Sequence, residues 1–393
     1  MKRLSPITHV SIRQALFDRA FIFYNILFFF IFSHIAFFYL YPLFLEAHGA
    51  SKTKIGIVMG LFPAGTVLSR PLMGWLVEKL GEKKVLLGGL FLIFVAGFLY
   101  IAAKKINLFL YAVRTLHGVG FSAFIASSFT GISWRIPVER RGEAFGFVGA
   151  VILFAIATMP LMGEHLIRWF GFGLLFKVES VFALSGLILS CLLTPEEVVI
   201  PESTSGNSYK SVLSKKSFLA VLAITVLFVQ GQATVLNFIA LMAESLKVSS
   251  GKFLGVAATI AIFFRLFVAK TIDRYNKKNF TILSFLIFAI GLVLVPGIRN
   301  PVMFFACTVL YGAGMGILYP LLNVLAVDQG SPEEMPALMT VFTGVFDAGF
   351  ISGSMLSGWL ADQFSLPWIF YFGAGVAAAG ALLTWVFPLY KLE

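Results

Sequence analysis

Charge is what this chain has least of. Only 12% of its 393 residues are charged, 19 acidic and 30 basic, where a soluble domain carries about 25%. That shortage excludes an ordinary water-soluble fold. Cysteine is almost absent as well: Cys191 and Cys307 both lie inside apolar stretches, so no disulfide framework or thiolate metal site is expected. No Walker-type phosphate loop, metal-ligand cluster or catalytic triad arrangement is visible. ATP-driven pumping and enzymatic chemistry are therefore not expected, and neither is a cofactor. Nucleic-acid binding would need a basic face on a soluble module, and the +11 formal charge is not gathered into one.

What fills the chain instead is apolar, 59% of all residues, including 44 phenylalanines. Runs long enough to cross a bilayer as helices, about 20 residues each, fall near 20–45, 55–77, 85–103, 107–134, 143–166 and 171–193. Six more fall near 218–243, 252–272, 280–298, 301–327, 336–361 and 366–388. The expectation is an all-α membrane protein with twelve transmembrane helices in two pseudo-symmetric six-helix halves, residues 1–193 and 218–393. Between them, residues 194–217 hold Pro195, Glu196, Glu197 and Pro201 and read as a cytoplasmic linker. The first apolar run follows Lys2, Arg3, Arg13 and Arg19, is longer than a signal peptide's core and has no cleavage site after it. It reads as a retained first helix. Placing both termini in the cytoplasm puts roughly two basic residues inside for each one outside, the bias expected of an inner-membrane, multi-pass protein.

Internal repetition supports the two halves. A loop with Gly74, Glu78, Lys79, Gly81, Lys83 and Lys84 returns about 195 residues later as Ala269, Asp273, Arg274, Asn276, Lys277 and Lys278. An arginine precedes the acid by eight residues in both copies, Arg70 and Arg265. His117, Gly118 and Gly120 correspond to Tyr311, Gly312 and Gly314 at an offset of 194, and Arg168 to Asp362 at the same offset. Arg114 maps to Thr308, so its charge survives in the first half alone.

These residues carry a resemblance to the major facilitator superfamily over essentially the whole chain. The loop from Gly74 to Lys84 is similar to that family's signature between the second and third helices, with Glu78 where aspartate is usual and Glu82 at a position usually basic. Arg114, His117, Gly118 and Gly120 resemble its arginine and glycine motif in the fourth helix. Pro160 and Gly163 match only part of the glycine and proline motif of its exporters. The resemblance implies that the first, fourth, seventh and tenth helices line a central cavity, and that Arg114 is a buried cation tied to proton coupling or to holding neighbouring helices.

An ionisable side chain inside the bilayer costs about 2.5–3.5 kcal/mol on insertion scales, so such residues are the candidates for function. Asp347 lies near mid-depth in the eleventh segment and is the only carboxylate expected there. It is either a protonation site or a structural partner of Arg265 or of an amide in the seventh segment. Arg114 and His117, one turn apart, are the other proton-coupling candidates. His34, Gln230, Gln232, Asn237 and Asn323 are candidates to orient a substrate in an apolar pocket, or to bond between helices. Arg70 and Arg265 either meet an anionic substrate or reach toward the cytoplasm to brace the loops.

Gating is expected from Arg70, Glu78, Lys79, Gly81, Arg265, Asp273 and Arg274. The acidic turn before the eleventh segment (Asp328, Glu333, Glu334) would attract Lys79, Lys83 and Lys84, while Asp273 would suit the basic turn at Arg135, Arg140 and Arg141. Glu78 would face the N-terminal end of the eleventh helix. Such contacts would latch the cytoplasmic side shut. The functional expectation is a monomeric secondary transporter that exchanges protons for a small organic or amphipathic solute, most simply exporting it. An uptake symporter for a sugar or organic acid is the alternative, and a non-transporting membrane sensor the other.

Overall fold

The computed structural model describes residues 19–103, 105–136, 140–193, 207–271, 276–331 and 334–387. The chain forms α1 (Arg19–Phe37), a 3-10 turn and α2 (Tyr41–Ala47), which together make the first crossing. Next come α3 (Lys52–Leu80), α4 (Glu82–Ala102), α5 (Leu108–Arg135), α6 (Arg141–Phe170) and α7 (Phe172–Cys191). A short α8 (Asn207–Ser214) precedes α9 (Lys216–Ser245), α10 (Ser250–Thr271), α11 (Lys277–Leu294), α12 (Pro301–Val327), α13 (Met335–Gln363) and α14 (Leu366–Val386).

Among the described residues, 11 helices are long and apolar enough to cross a membrane. The twelfth, α10, packs on α6 and α12 as α3 packs on α13 and α5. All of this is helical because a spanning segment must pair its own backbone N–H and C=O groups where no water reaches. Helix ends are fixed by local chemistry. The Asn107 side chain accepts from the Leu110 N–H at the start of α5, and Asn300 does the same for Met303 at the start of α12. The two caps sit at matching places in the two halves.

The opposite turn, between α3 and α4, is made by Gly81 at φ +84, a left-handed conformation in which a side chain is strained. Two faces follow. The linker face carries α8, the Gly81 turn and the start of α1; the far face carries the ends of α2, α4, α6, α9, α11 and α13.

Halves meet along α3 with α13 and along α6 with α10. Close approach there rests on glycine: a Cβ on Gly56 would stand 2.4 Å from the Ser354 carbonyl oxygen, and one on Gly255 2.9 Å from that of Ala157. The first half of the linker lies outside the described residues. Its second half is helical rather than loop, because Val212 of α8 is buried while Ser211 Oγ and Lys215 Nζ donate to Glu334 at 2.6 and 2.5 Å. Those bonds hold the Glu334 carboxyl down to about 2.

Candidate functional site

A dry polar chain runs through the N-terminal half. Glu179 of α7, His34 of α1 and His117 of α5 are 1%, 0% and 0% exposed, and Arg114, one turn before His117, is 4% exposed. His34 Nδ1 pairs with the Glu179 carboxylate and lies 3.0 Å from the Glu179 carbonyl oxygen. Its Nε2 is 3.0 Å from His117 Nε2. His117 Nδ1 is 3.4 Å from the Tyr100 hydroxyl, whose oxygen is 3.5 Å from Arg114 Nη1.

These contacts order the protons. If His34 donates from Nδ1 to Glu179, its Nε2 accepts from His117 Nε2–H, His117 Nδ1 accepts the Tyr100 O–H, and Tyr100 accepts from Arg114. Each ring nitrogen then has one role. The guanidinium itself is caged by aromatic faces, 4.9 Å from the Phe38 ring centre and 5.0 Å from that of Phe62. Gly97 of α4 makes room for the acid, since a Cβ there would stand 3.3 and 3.4 Å from the two Glu179 oxygens. Neither Glu179 carboxylate oxygen has a hydrogen bond of regular geometry among the described residues, Oε2 being held by its ion pair with His34. Those open lone pairs are a place for a proton in a buried site.

Asp347 is thus not the sole carboxylate at depth. Glu179 follows the start of α7 by seven residues, about 10 Å at 1.5 Å per residue, and the cost rule that selected Asp347 selects it as well. Asp347 pairs with Arg70 of α3 rather than with Arg265 or an amide of α9. The pair bridges the two halves, each side chain about a quarter exposed. Arg265 instead lies 4.9 Å from the Tyr319 ring centre.

The polar residues of α9 meet α13. Gln230 Nε2 donates to Ser352 at 3.3 Å, Asn237 Nδ2 to Ser354 at 2.6 Å, and Thr234 shares a 2.8 Å bond with Ser357. Asn323 donates to the Tyr319 carbonyl one turn back on α12, and Gln232 leaves its buried carbonyl oxygen without a partner among the described residues. None of these groups is hydrogen-bonded to His34, whose partners among the described residues are Glu179 and His117. An open groove of about 560 Å³ lies elsewhere, between Phe21, Asn25 and Phe29 of α1, Phe147 and Val151 of α6 and Ile262 of α10, with Ile22, Ile26 and Phe154 exposed along it. Its wall is apolar apart from Asn25.

Far-face closure is clear in the geometry. The Asp362 carboxylate at the end of α13 accepts the Lys52 and Thr53 N–H groups of α3 at 2.9 and 2.8 Å. Glu164 of α6 accepts Gly251 N–H of α10 at 2.8 Å and the hydroxyls of Ser249 and Ser250. Each half thus caps a helix of the other. Glu164, one turn before Arg168, is the working counterpart of Asp362, which the 194 offset had paired with Arg168.

On the linker face the expected cross-half latch is not formed. Glu78 is exposed, and no contact joins it to α13 among the described residues. Lys79 lies over Trp75, Asp328 pairs with Lys277 at 2.7 Å, and Glu334 with Lys215. Arg135 is engaged by Glu82 at 2.6 Å, which explains an acid where the resembling family is usually basic. Asp273, Arg274 and Glu333 lie outside the described residues.

Comparison with known proteins agrees with this architecture. The model of the Major Facilitator Superfamily matches residues 22–329 and 254–392. The uncharacterized MFS-type transporter YhhS of Escherichia coli (strain K12) is 26% identical over 354 residues, 86% of this chain and 85% of that protein. YhhS of Salmonella typhimurium (strain LT2) is 27% identical over 349 residues, with the same coverage. In fold, the nucleoside transporter NupG superimposes with a TM-score of 0.77 at 14% identity, over 95% of this chain and 100% of that one. A D-xylose-proton symporter gives 0.72 at 16%, over 94% and 96%. With 11 spanning-length apolar helices among the described residues and a family match that covers nearly all of it, the chain belongs to the major facilitator superfamily.

Proposed function

We propose that this protein is a monomeric, proton-coupled secondary transporter of the inner membrane, which exports a small organic or amphipathic solute by alternating access. The linker face and both termini are cytoplasmic in this reading, in line with the placement of lysine and arginine. The observation that carries it is the chain from Glu179 through His34 and His117 to Arg114. A dry acid and two imidazoles in hydrogen-bond contact can store one proton and relocate it as the cavity changes sides. Arg114 keeps a permanent positive charge beside that store, so a second proton is disfavoured.

Closure of the far face, with Glu78 free on the other, corresponds to the inward-facing stage of the cycle. Opening outward would break the Asp362 and Glu164 caps and bring Glu78 and Lys79 toward the other half. The test is purified protein in proteoliposomes with an internal pH dye and a panel of organic cations, neutral solutes and organic acids. Proton entry that depends on solute exit is expected. Proton and solute moving in the same direction would turn the reading to uptake symport, and no proton movement with any solute would overturn coupling.

A further inference from the structure

Arg265 has no carboxylate partner among the described residues, whereas its counterpart Arg70 has one. Each arginine lies twelve residues before the helix that follows its turn, α4 at Glu82 or α11 at Lys277. Each reaches the inter-half seam, Arg70 to Asp347 on α13 and Arg265 to Gly149 on α6. A Cβ on Gly149 would stand 3.0 Å from Arg265 Nη1. Gly149 comes eight residues after the start of α6 and Asp347 twelve after the start of α13, one turn apart and on the same helix face. Between Glu143 and Glu164, α6 has no acid. The seam thus has an acid at one end and a bare glycine backbone at the other.

Resting on the proton-coupled transporter reading above, we propose that Arg265 is the anchor for the acid group of a small organic anion, and that the solute is a carboxylate with an apolar body. The guanidinium stacks on Tyr319 while its buried Nε has no hydrogen-bond partner. Ile262, one turn before Arg265 on α10, lines an open apolar groove between α1 and α6, a surface that suits an apolar body. Export also suits an anion, because an inside-negative membrane potential drives negative charge outward.

Phenylacetate and its neutral amide, phenylacetamide, are matched probes. Titrated calorimetrically into purified protein in phosphatidylcholine nanodiscs, phenylacetate is expected to bind at least about tenfold more tightly than the amide. Arg265→Gln should remove that preference. Gly149→Asp should remove it as well, by supplying an internal carboxylate, while the equally bulky Gly149→Asn should retain most of it. No phenylacetate binding to the wild-type protein, equal binding of the amide, or an Arg265→Gln variant that still prefers the acid would overturn the proposal. Loss of phenylacetate binding in phosphatidylglycerol nanodiscs would also overturn it, by naming a lipid headgroup as the occupant. Proton flux driven by cations or neutral solutes alone would sink the anion site and leave the transporter reading intact. Phenylacetate bound through Arg265 without any proton flux would do the reverse.

Discussion

Around α5, Arg114 and His117 join His34 and Glu179 in a dry polar chain, while around the matching helix α12 the same positions hold Thr308 and Tyr311. Among the described residues Thr308 bonds to its own helix, at the Phe304 and Phe305 carbonyls, and Tyr311 packs against Phe253 and Phe288. Opposite α9, at the position of Glu179, stands Gly373, whose Cβ would be 3.6 Å from Gly231 Cα. At these matched positions one half places buried charge and the other close packing. The two positions are related by the 194-residue offset, and the difference between them lies in which side chains the chain places there.

The comparison can be broken hardest at Glu179. Glu179→Ala leaves the buried imidazoles and Arg114 without their acid, and a loss of about 3–5 kcal/mol is expected from breaking a buried pair, read as a lower midpoint in thermal unfolding. Gly373→Ala, at the matching place, should cost well under about 1 kcal/mol, because its Cβ meets neighbours at ordinary contact distance. Next comes the seam. Gly358→Val would put a Cβ 2.4 Å from the Lys52 carbonyl oxygen, and overpacking of about 1–3 kcal/mol should push the far face open, measured by spin-label distances across it.

Asp362→Asn and Glu164→Gln should each weaken far-face closure by about 0.5–2 kcal/mol, the range for a lost helix cap. Labelling of cysteines introduced on that face would report the added opening, and the double variant should exceed either single one. Glu78→Gln should have the smallest effect on the closed-outside state, where Glu78 touches nothing in α13, and should raise the inward-facing fraction by removing the expected latch of the other state. An unchanged fraction would count against that latch. By contrast, the Glu334 contact to α8 should not respond to physiological pH. A carboxyl held at about 2 gives stability that is complete above its ordinary value near 4.5 and is lost only as pH falls through 2.

The spans and the two halves were legible because a bilayer demands long apolar runs, and few other sequences have them. Arg114 and His117 stood out by the cost of burying charge. Glu179 obeyed the same rule but sat near Lys177 and just past the turn at Gly171, where an acid looks like part of a helix end. Partners were harder still. Arg70 and Asp347 are 277 residues apart in the chain, and only the packing of α3 on α13 brings them together. The acid at Glu82 made sense only once Arg135 was seen against it. The cross-half caps at Asp362 and Glu164 join chain ends of different halves, which no local pattern encodes.

The most direct test of the account compares two assays on Glu179→Gln, a change that removes the charge and keeps the size. Proteoliposomes with solute on both sides report exchange, which needs alternating access but no net proton movement; liposomes with a pH gradient report coupled net transport. The account predicts that exchange stays within about twofold of wild type while gradient-driven transport falls by at least about tenfold, equal to 1.4 kcal/mol or more. Gradient-driven transport at the wild-type rate in this variant would contradict it, and the buried chain would then be structural.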